Sequence, residues 1–348
     1  MPAISIDTFF ACTLLVSVAL LATASFVGAM QSRIIEVQEI NEEAFINTIA
    51  NNLISSYGTP IDWASNKNLV PTTFGFSDTN SLIPYGLDID LISRLNQKNL
   101  YSLSYIQVLK SAQLNDIALG ISASQMFSVQ ISLFSNETFE DLTNYTFKIK
   151  TDQESVPIST NLQCYVTLND IIFETTNTTS QTGIGYVTFQ IPNSQKGTAL
   201  LVVFGRTIFD DRLTCYETYS FAHLSDEPLP NNTFLKASPL NYELSYATEF
   251  TDLVIRSSYA FSYTQHFELT LISDSAYSIP HLADKSPIVL VISGSKGNLS
   301  FIEWVSYPDI PLEFGSDFRG TEENVFSYIV RIEEVLYRLN LKIGELNK

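Results

Sequence analysis

FFACTLLVSVALLATASFVGAM, residues 9–30, holds no charged side chain over 22 positions, and a single carboxylate, Asp7, stands just ahead of it. Coiled as a helix at 1.5 Å per residue, such a run reaches about 33 Å, the thickness of a bilayer's hydrocarbon interior. A cleaved secretion signal needs basic residues first and an apolar stretch of about 7–15 residues. Here the stretch is longer and no Lys or Arg precedes it, so a permanent anchor is expected, despite the small residues Ala22-Thr23-Ala24. A buried core helix is the other alternative, but globular helices seldom lack a polar face for this long.

The helix is expected to run on past the apolar run. From Gln31 to Ile54 there is no Pro or Gly, and apolar residues recur at Ile34, Val37, Ile40, Ala44, Phe45, Ile49 and Leu53. This spacing of three or four marks one dry and one wet face. Glu36, Glu39, Glu42 and Glu43 lie along its early turns, and Tyr57-Gly58-Thr59-Pro60 supplies the stop.

Net charge is −18, from 19 basic and 37 acidic residues. With no basic surface to neutralise phosphate, nucleic acid is excluded as a partner. Charged residues make up 16%, below the usual quarter or so, and Ser, Thr, Asn and Tyr fill the deficit. That is the surface of an exported β protein. Asn136, Asn144, Asn177, Asn231 and Asn298 each begin an Asn-x-Ser/Thr glycosylation sequon beyond the anchor. Cys12 lies in the anchor; Cys164 and Cys215 lie in strand-like runs. A bond between these two would close a loop of about 50 residues, worth roughly 4 kcal/mol by chain entropy. Export favours that disulfide, and two buried thiols are the alternative.

The rest of the chain divides into three expected segments. Residues 58–138 read as a small α/β segment, with short helices in LDIDLISRLN (87–96) and SYIQVLKSAQLND (104–116) and a strand in FSVQISLF (127–134). Asp88 and Asp90 are expected to cap the first of these helices. Residues 139–235 read as an immunoglobulin-like β-sandwich, with YTFKIK, LQCYVTL, IIFETTN, GYVTFQI, TALLVVFGRT and TCYETYSFAH as strands. Residues 236–348 read as a C-terminal β domain. Its tail, FSYIVRIEEVLYRLNLKI, fits a hairpin turning at Glu333-Glu334, with a helix over 324–339 as the alternative. The fold class is therefore mainly β with one long N-terminal transmembrane α-helix (residues 1–57), a helical stalk carrying β-sandwich domains.

No chemistry stands out. His223, His266 and His281 lack a second His or Cys at metal-ligand spacing, so no metal or cofactor is expected, and each reads as a surface or strand-face residue. No serine-hydrolase elbow or dinucleotide fingerprint occurs. SGSKG (293–297) precedes a strand and reads as a hairpin turn. Trp63 and Trp304 sit in apolar runs and are expected in cores.

Two resemblances add to this reading. TTNTTSQTGIGYVTFQIP (175–192) with KGTALLVVFGR (196–206) resembles carboxypeptidase-regulatory-like and bacterial Ig-like modules. The start, AISID (3–7) followed by the apolar run, resembles archaeal type IV pilins and related class III signal-peptide proteins, and GTPIDW (58–63) is a weaker echo of them. The resemblance implies removal of Met1-Pro2, a mature chain beginning at Ala3, and Asp7 as its fifth residue, where the family carries an acid thought to pair with a neighbouring subunit's amino terminus. It also implies a homopolymeric surface filament built through the helix, with Ala3, Asp7, Phe9, Phe10 and Gly28 in the assembly segment. A prepilin peptidase, an assembly platform and the membrane would be the partners before assembly. A non-polymerising anchored surface protein or adhesin is the second reading, and an anchored extracellular enzyme the third.

Overall fold

The computed structural model describes residues 6–79, 81, 83–114, 117–315 and 323–345, with backbone alone at 6–8, 32, 34–43, 323 and 345. By contact density the chain forms two units, Met1–Asn51 and Asn52–Lys348. A single helix, α1 (Ile6–Ser55), provides the first unit and its last turn begins the second. The helix stops where the sequence places its breakers. Gly58 follows at φ +77, and a Cβ there would lie 2.4 Å from the Thr73 carbonyl oxygen, so only glycine fits this exit. The Thr59–Pro60 peptide is cis.

The second unit begins with a loop leading into β1 (Gly86–Leu87), α2 (Ile89–Leu95), α3 (Tyr105–Ser111) and β2 (Ile117–Gln125). Both short helices are capped, the first by Asp88 as expected and the second by a pair the sequence reading did not single out. Asp88 accepts from the Asp90 N–H at 2.8 Å, and Ser104 with Gln107 forms a reciprocal capping box. Trp63 anchors the loop from within: its ring is buried against Phe74 and its indole N–H donates to the Tyr57 carbonyl at 2.7 Å. Buried Arg94 lies over that ring and donates to the carbonyls of Tyr101 and Asn66, both at 3.1 Å.

Next comes an eight-strand sandwich: β3 (Ser128–Thr138), β4 (Leu142–Gln153), β5 (Val156–Pro157), β6 (Thr160–Leu168), β7 (Ile171–Thr178), β8 (Ile184–Pro192), β9 (Gly197–Thr207) and β10 (Thr214–His223). One sheet has β4 between β3 on one side and β5 and β8 on the other; the second has the order β10-β9-β6-β7. Alternate residues of β4 and β8, among them Phe147, Ile149, Val187 and Phe189, meet Cys164, Val166, Leu201 and Val203 in the core. β4 and β8 alternate between buried and open positions, but β9 is buried nearly throughout.

The second sandwich contains β11 (Lys236–Leu240), β12 (Glu243–Ala247), β13 (Leu253–Phe261), β14 (His266–Glu268), β15 (Thr270–Ser273), β16 (Ala276–Ser278), β17 (Ile288–Lys296) and β18 (Leu299–Tyr307). Its sheets run β11-β12-β16-β15 and β14-β13-β17-β18. The run HFELTLIS (266–273) divides at Leu269, giving β14 to one sheet and β15 to the other. SGSKG does form the end of a hairpin, with Lys296 opposite Leu299.

The burial of β9 on both faces now has its cause. Leu200, Val202 and Phe204 point away from their own sandwich and pack with Tyr165 against Phe261, Val289, Val291 and Ile302 of the second. The two sandwiches therefore share a third apolar layer. A strand covered on both sides needs apolar residues at every position, and TALLVVFG and SPIVLVISG supply them.

The chain then returns to its beginning. β19 (Leu312–Gly315), β20 (Glu323–Ile332) and β21 (Val335–Glu345) join β1 and β2 in the order β1-β20-β21-β2-β19. β20 and β21 form the expected hairpin, with Ile332 opposite Val335 and Glu333 at φ 54. The expected segments 58–138 and 236–348 are thus interleaved: β2 pairs with β21 from Ile117 opposite Glu345 to Gln125 opposite Tyr337. β3, at the end of the expected 58–138 segment, pairs with β4 of the first sandwich.

Candidate assembly segment and buried polar sites

Residues Phe9–Gln31 of α1 have mean hydropathy 2.2 and every one of them is exposed, a length and composition sufficient to cross a membrane. Phe9 and Phe10 are each 66% exposed. Apolar side chains left open in this way each forgo about 1.5–3 kcal/mol available on burial, so an apolar surrounding, which the described residues do not provide, would stabilise the segment. Its polar atoms are prepared for one. Thr13 donates its hydroxyl to the Phe9 carbonyl at 2.5 Å, Ser17 to Thr13 at 2.8 Å and Thr23 to Ala19 at 2.7 Å, so these hydroxyls need no water. A Cβ on Gly28 would meet nothing within 4 Å, so no packing inside the chain calls for glycine there. Asp7 lies in the first turns of α1, its side chain outside the described atoms, and Ala3 lies outside the described residues.

The expected disulfide does not form. Cys164 and Cys215 are both free and buried. They lie in one sheet on opposite sides of β9: Cys164 faces Val203, and Cys215 faces Gly205. Two strand spacings put their Cα atoms at least about 9.5 Å apart. A disulfide bridges at most about 7 Å. Burial pushes both thiols far above their ordinary pKa, leaving them inert apolar packing.

The sequon asparagines differ in setting. Asn136, Asn177 and Asn298 are exposed, whereas Asn144 and Asn231 are half-buried. The Asn177 amide donates to the Tyr186 carbonyl. Asn231 uses both ends of its amide on the backbone of Trp304, at 2.8 and 2.9 Å, bonds that a glycan on its nitrogen would disturb.

Asp88 and Asp90 have separated roles. Asp88 caps α2, while Asp90 turns into the interior and accepts from the Tyr307 hydroxyl and the Asn241 N–H, both at 2.7 Å. Burial, with the neighbouring Asp90 charge second, lifts the Asp88 carboxyl to about 7. Burial also raises Asp90, against the pull of its two hydrogen bonds. They border a cavity of about 600 Å³ that also takes in Asp78, Tyr242, Lys285 and Glu333. Tyr242 donates to Glu333 at 2.8 Å, and Lys285 pairs with the same carboxylate at 3.1 Å. The cluster ties α2, the β20–β21 turn and the second sandwich together. Among the described residues, no group of three or more His, Cys, Asp or Glu is arranged to hold a metal ion.

Two further polar residues have interior roles that the sequence did not signal. His223 ends β10, on a strand as expected, but is fully buried rather than at the surface. Its Nε2 donates to the Pro192 carbonyl and its Nδ1 accepts from the Tyr145 hydroxyl, both at 3.1 Å. Burial lowers the pKa of this ring, against the pull of its backbone hydrogen bonds. Glu303, 1% exposed, accepts from the N–H groups of Thr233 and Phe234 at 2.9 and 2.8 Å and also from Asn232.

No family model and no curated protein matches the chain. Among solved structures it is similar to HBP35 of Porphyromonas gingivalis, with TM-score 0.21 and 13% identity over 52% of this chain and 63% of that one. Human GIVD cytosolic phospholipase A2 is similar with TM-score 0.14 and 15% identity, over 67% of this chain and 33% of that one. The chain spans less than two thirds of either protein's length, and likenesses this slight carry no functional argument.

Proposed function

We propose that this chain is a structural subunit of an archaeal type IV pilus-like surface filament. In this reading the helix sits in the membrane before assembly and in the filament core afterwards, with the β sandwiches displayed outward for surface contact. The observation that carries the proposal is the wholly uncovered apolar segment Phe9–Gln31 within a 50-residue helix leading into a large β unit. Such a segment is stable in lipid, and equally stable among copies of itself. Ala19, Ala22, Ala24, Ser25, Gly28 and Ala29 let neighbouring helices approach closely, which is how helices associate once lipid offers no hydrophobic driving force. Asp7, at the edge of the apolar run, supplies a carboxylate whose burial needs a positive partner, and a neighbour's free amino terminus is one. The exposed sequons at Asn136, Asn177 and Asn298 suit an outward-facing, glycosylated surface.

Negative-stain microscopy of native cell-surface material, with antibody labelling of the β unit, tests the proposal. Labelled filaments, and an Asp7→Ala variant that still inserts in membrane but forms none, are the expected results. Filaments that persist in that variant would refute the charge-pairing role. A single detergent-released species with no filaments would replace the proposal with a monomeric anchor. Amino-terminal sequencing of filament protein is expected to begin at Ala3.

A further inference from the structure

A second cavity, of about 570 Å³, lies where several sheets converge: the β2–β3 connection, β10, the segment leading into β11, and β18 with the residues beyond it. Trp304 lines it, half-buried, whereas Trp63 belongs to a closed core. The two tryptophans therefore part company: the sequence expectation of a core role holds for Trp63, while Trp304 also forms part of a wall.

β10 and β18 are outer strands of their sheets, and their backbones here are already occupied. Gln125 donates its amide to the Tyr216 carbonyl at 3.2 Å and accepts from the Tyr216 N–H at 3.4 Å. Asn231 does the same for Trp304. Each amide stands where a pairing strand would sit, so an extended peptide cannot add to either edge at these positions. Recognition is left to side chains: the indole of Trp304, the exposed amide of Asn232, Thr218, and the carboxyl groups of Glu217 and Asp309.

The walls are held in place before any ligand arrives. Glu303 fixes the backbone at Asn232, Thr233 and Phe234. The Tyr216 hydroxyl bonds to the Ile310 carbonyl, and Asp309 accepts from Asn96. Rigid walls reduce the ordering cost of binding. Four carboxyl groups line the cleft, Asp152, Glu154, Glu217 and Asp309, and they outnumber its two cations and so disfavour phosphate and other anions. Arg338 is paired with Glu154 at 2.6 Å, and the Lys98 charge acts on Asp309. An aromatic surface beside mixed amide, hydroxyl and carboxyl groups matches a molecule with one C–H face and many hydroxyls.

We propose that this cleft binds a neutral saccharide, a short oligosaccharide lying against Trp304 with hydroxyls bonded to Asn232, Thr218 and Glu217. The proposal is independent of filament formation, because every residue it uses lies in one chain. The test uses the full chain in a sugar-free zwitterionic detergent, titrated separately with neutral trisaccharides of glucose, mannose, galactose and N-acetylglucosamine. Saturation-transfer NMR and tryptophan fluorescence are read together. At least one trisaccharide is expected to bind saturably with Kd below about 1 mM. Asn232→Gly is expected to weaken it at least tenfold without unfolding the chain, because Asn232 sits at φ 63, where glycine is at ease. Thr218→Val serves as a second variant and is expected to weaken binding as well. Trp304→Phe should abolish most of the fluorescence response. No saturable binding by any of the four overturns the proposal. So do unchanged affinities in the folded variants, or competitive displacement by an unstructured peptide, which would make the cleft a peptide site.

Discussion

Cys164 and Cys215 show how far a residue's meaning depends on its neighbours. Both are in strands, as their sequences indicate, but β9 stands between them and keeps the sulfurs apart. Denaturing the unreduced protein with an alkylating reagent should label all three cysteines. A mass corresponding to one label would restore the disulfide. In the folded chain, Cys164 and Cys215 should resist the reagent, since burial keeps them protonated. Asp88 and Asp309 give a second residue-scale prediction. Burial raises their carboxyl groups to about 7 and about 6, above the ordinary value of 3.8. The folded chain therefore holds protons that the unfolded chain releases, so their stabilising contribution is complete below about pH 4 and is lost as pH rises through 6 and 7. The denaturation midpoint should fall between pH 5 and pH 8. Asp88→Asn, which keeps the helix cap, should flatten that decline and stabilise the protein at pH 8 by on the order of 2–4 kcal/mol. A midpoint that rises with pH over this window would contradict the burial argument.

Among the elements, the helix and the strands were legible because their signals are local. The breakers at Gly58 and Pro60, the two-residue turn at Glu333-Glu334 and the alternation of YTFKIK and GYVTFQI each act over a few residues. β9 and β17 carried a further signal, an unbroken apolar run, that called for cover on both faces without saying what would provide it. The cover is the other sandwich, through Phe204, Val202, Val289 and Val291. Phe204→Ala should cost about 3–5 kcal/mol in chemical denaturation, as a large cavity in a closed layer does. A loss below about 1 kcal/mol would mean that the layer between the sandwiches contributes little.

For the whole molecule, the pairing of β2 with β21 joins the beginning of the second unit to its end, with both sandwiches held between. Residues 52–348 should accordingly unfold in one cooperative transition, with near-UV and far-UV circular dichroism changing together. Two separated transitions would show that the sandwiches are independent despite their shared apolar layer. The sequence by itself determined the long N-terminal helix, its apolar segment, the β class and most strands, because length, hydropathy, periodicity and turn chemistry are properties of neighbouring residues. Only the tertiary structure decided that the cysteines stay apart, that Asp90 and His223 are interior, that the first and last strands share a sheet, and that Trp304 lines a cleft. Each of these depends on which distant strands pair and which faces meet, and no stretch of a few residues encodes that.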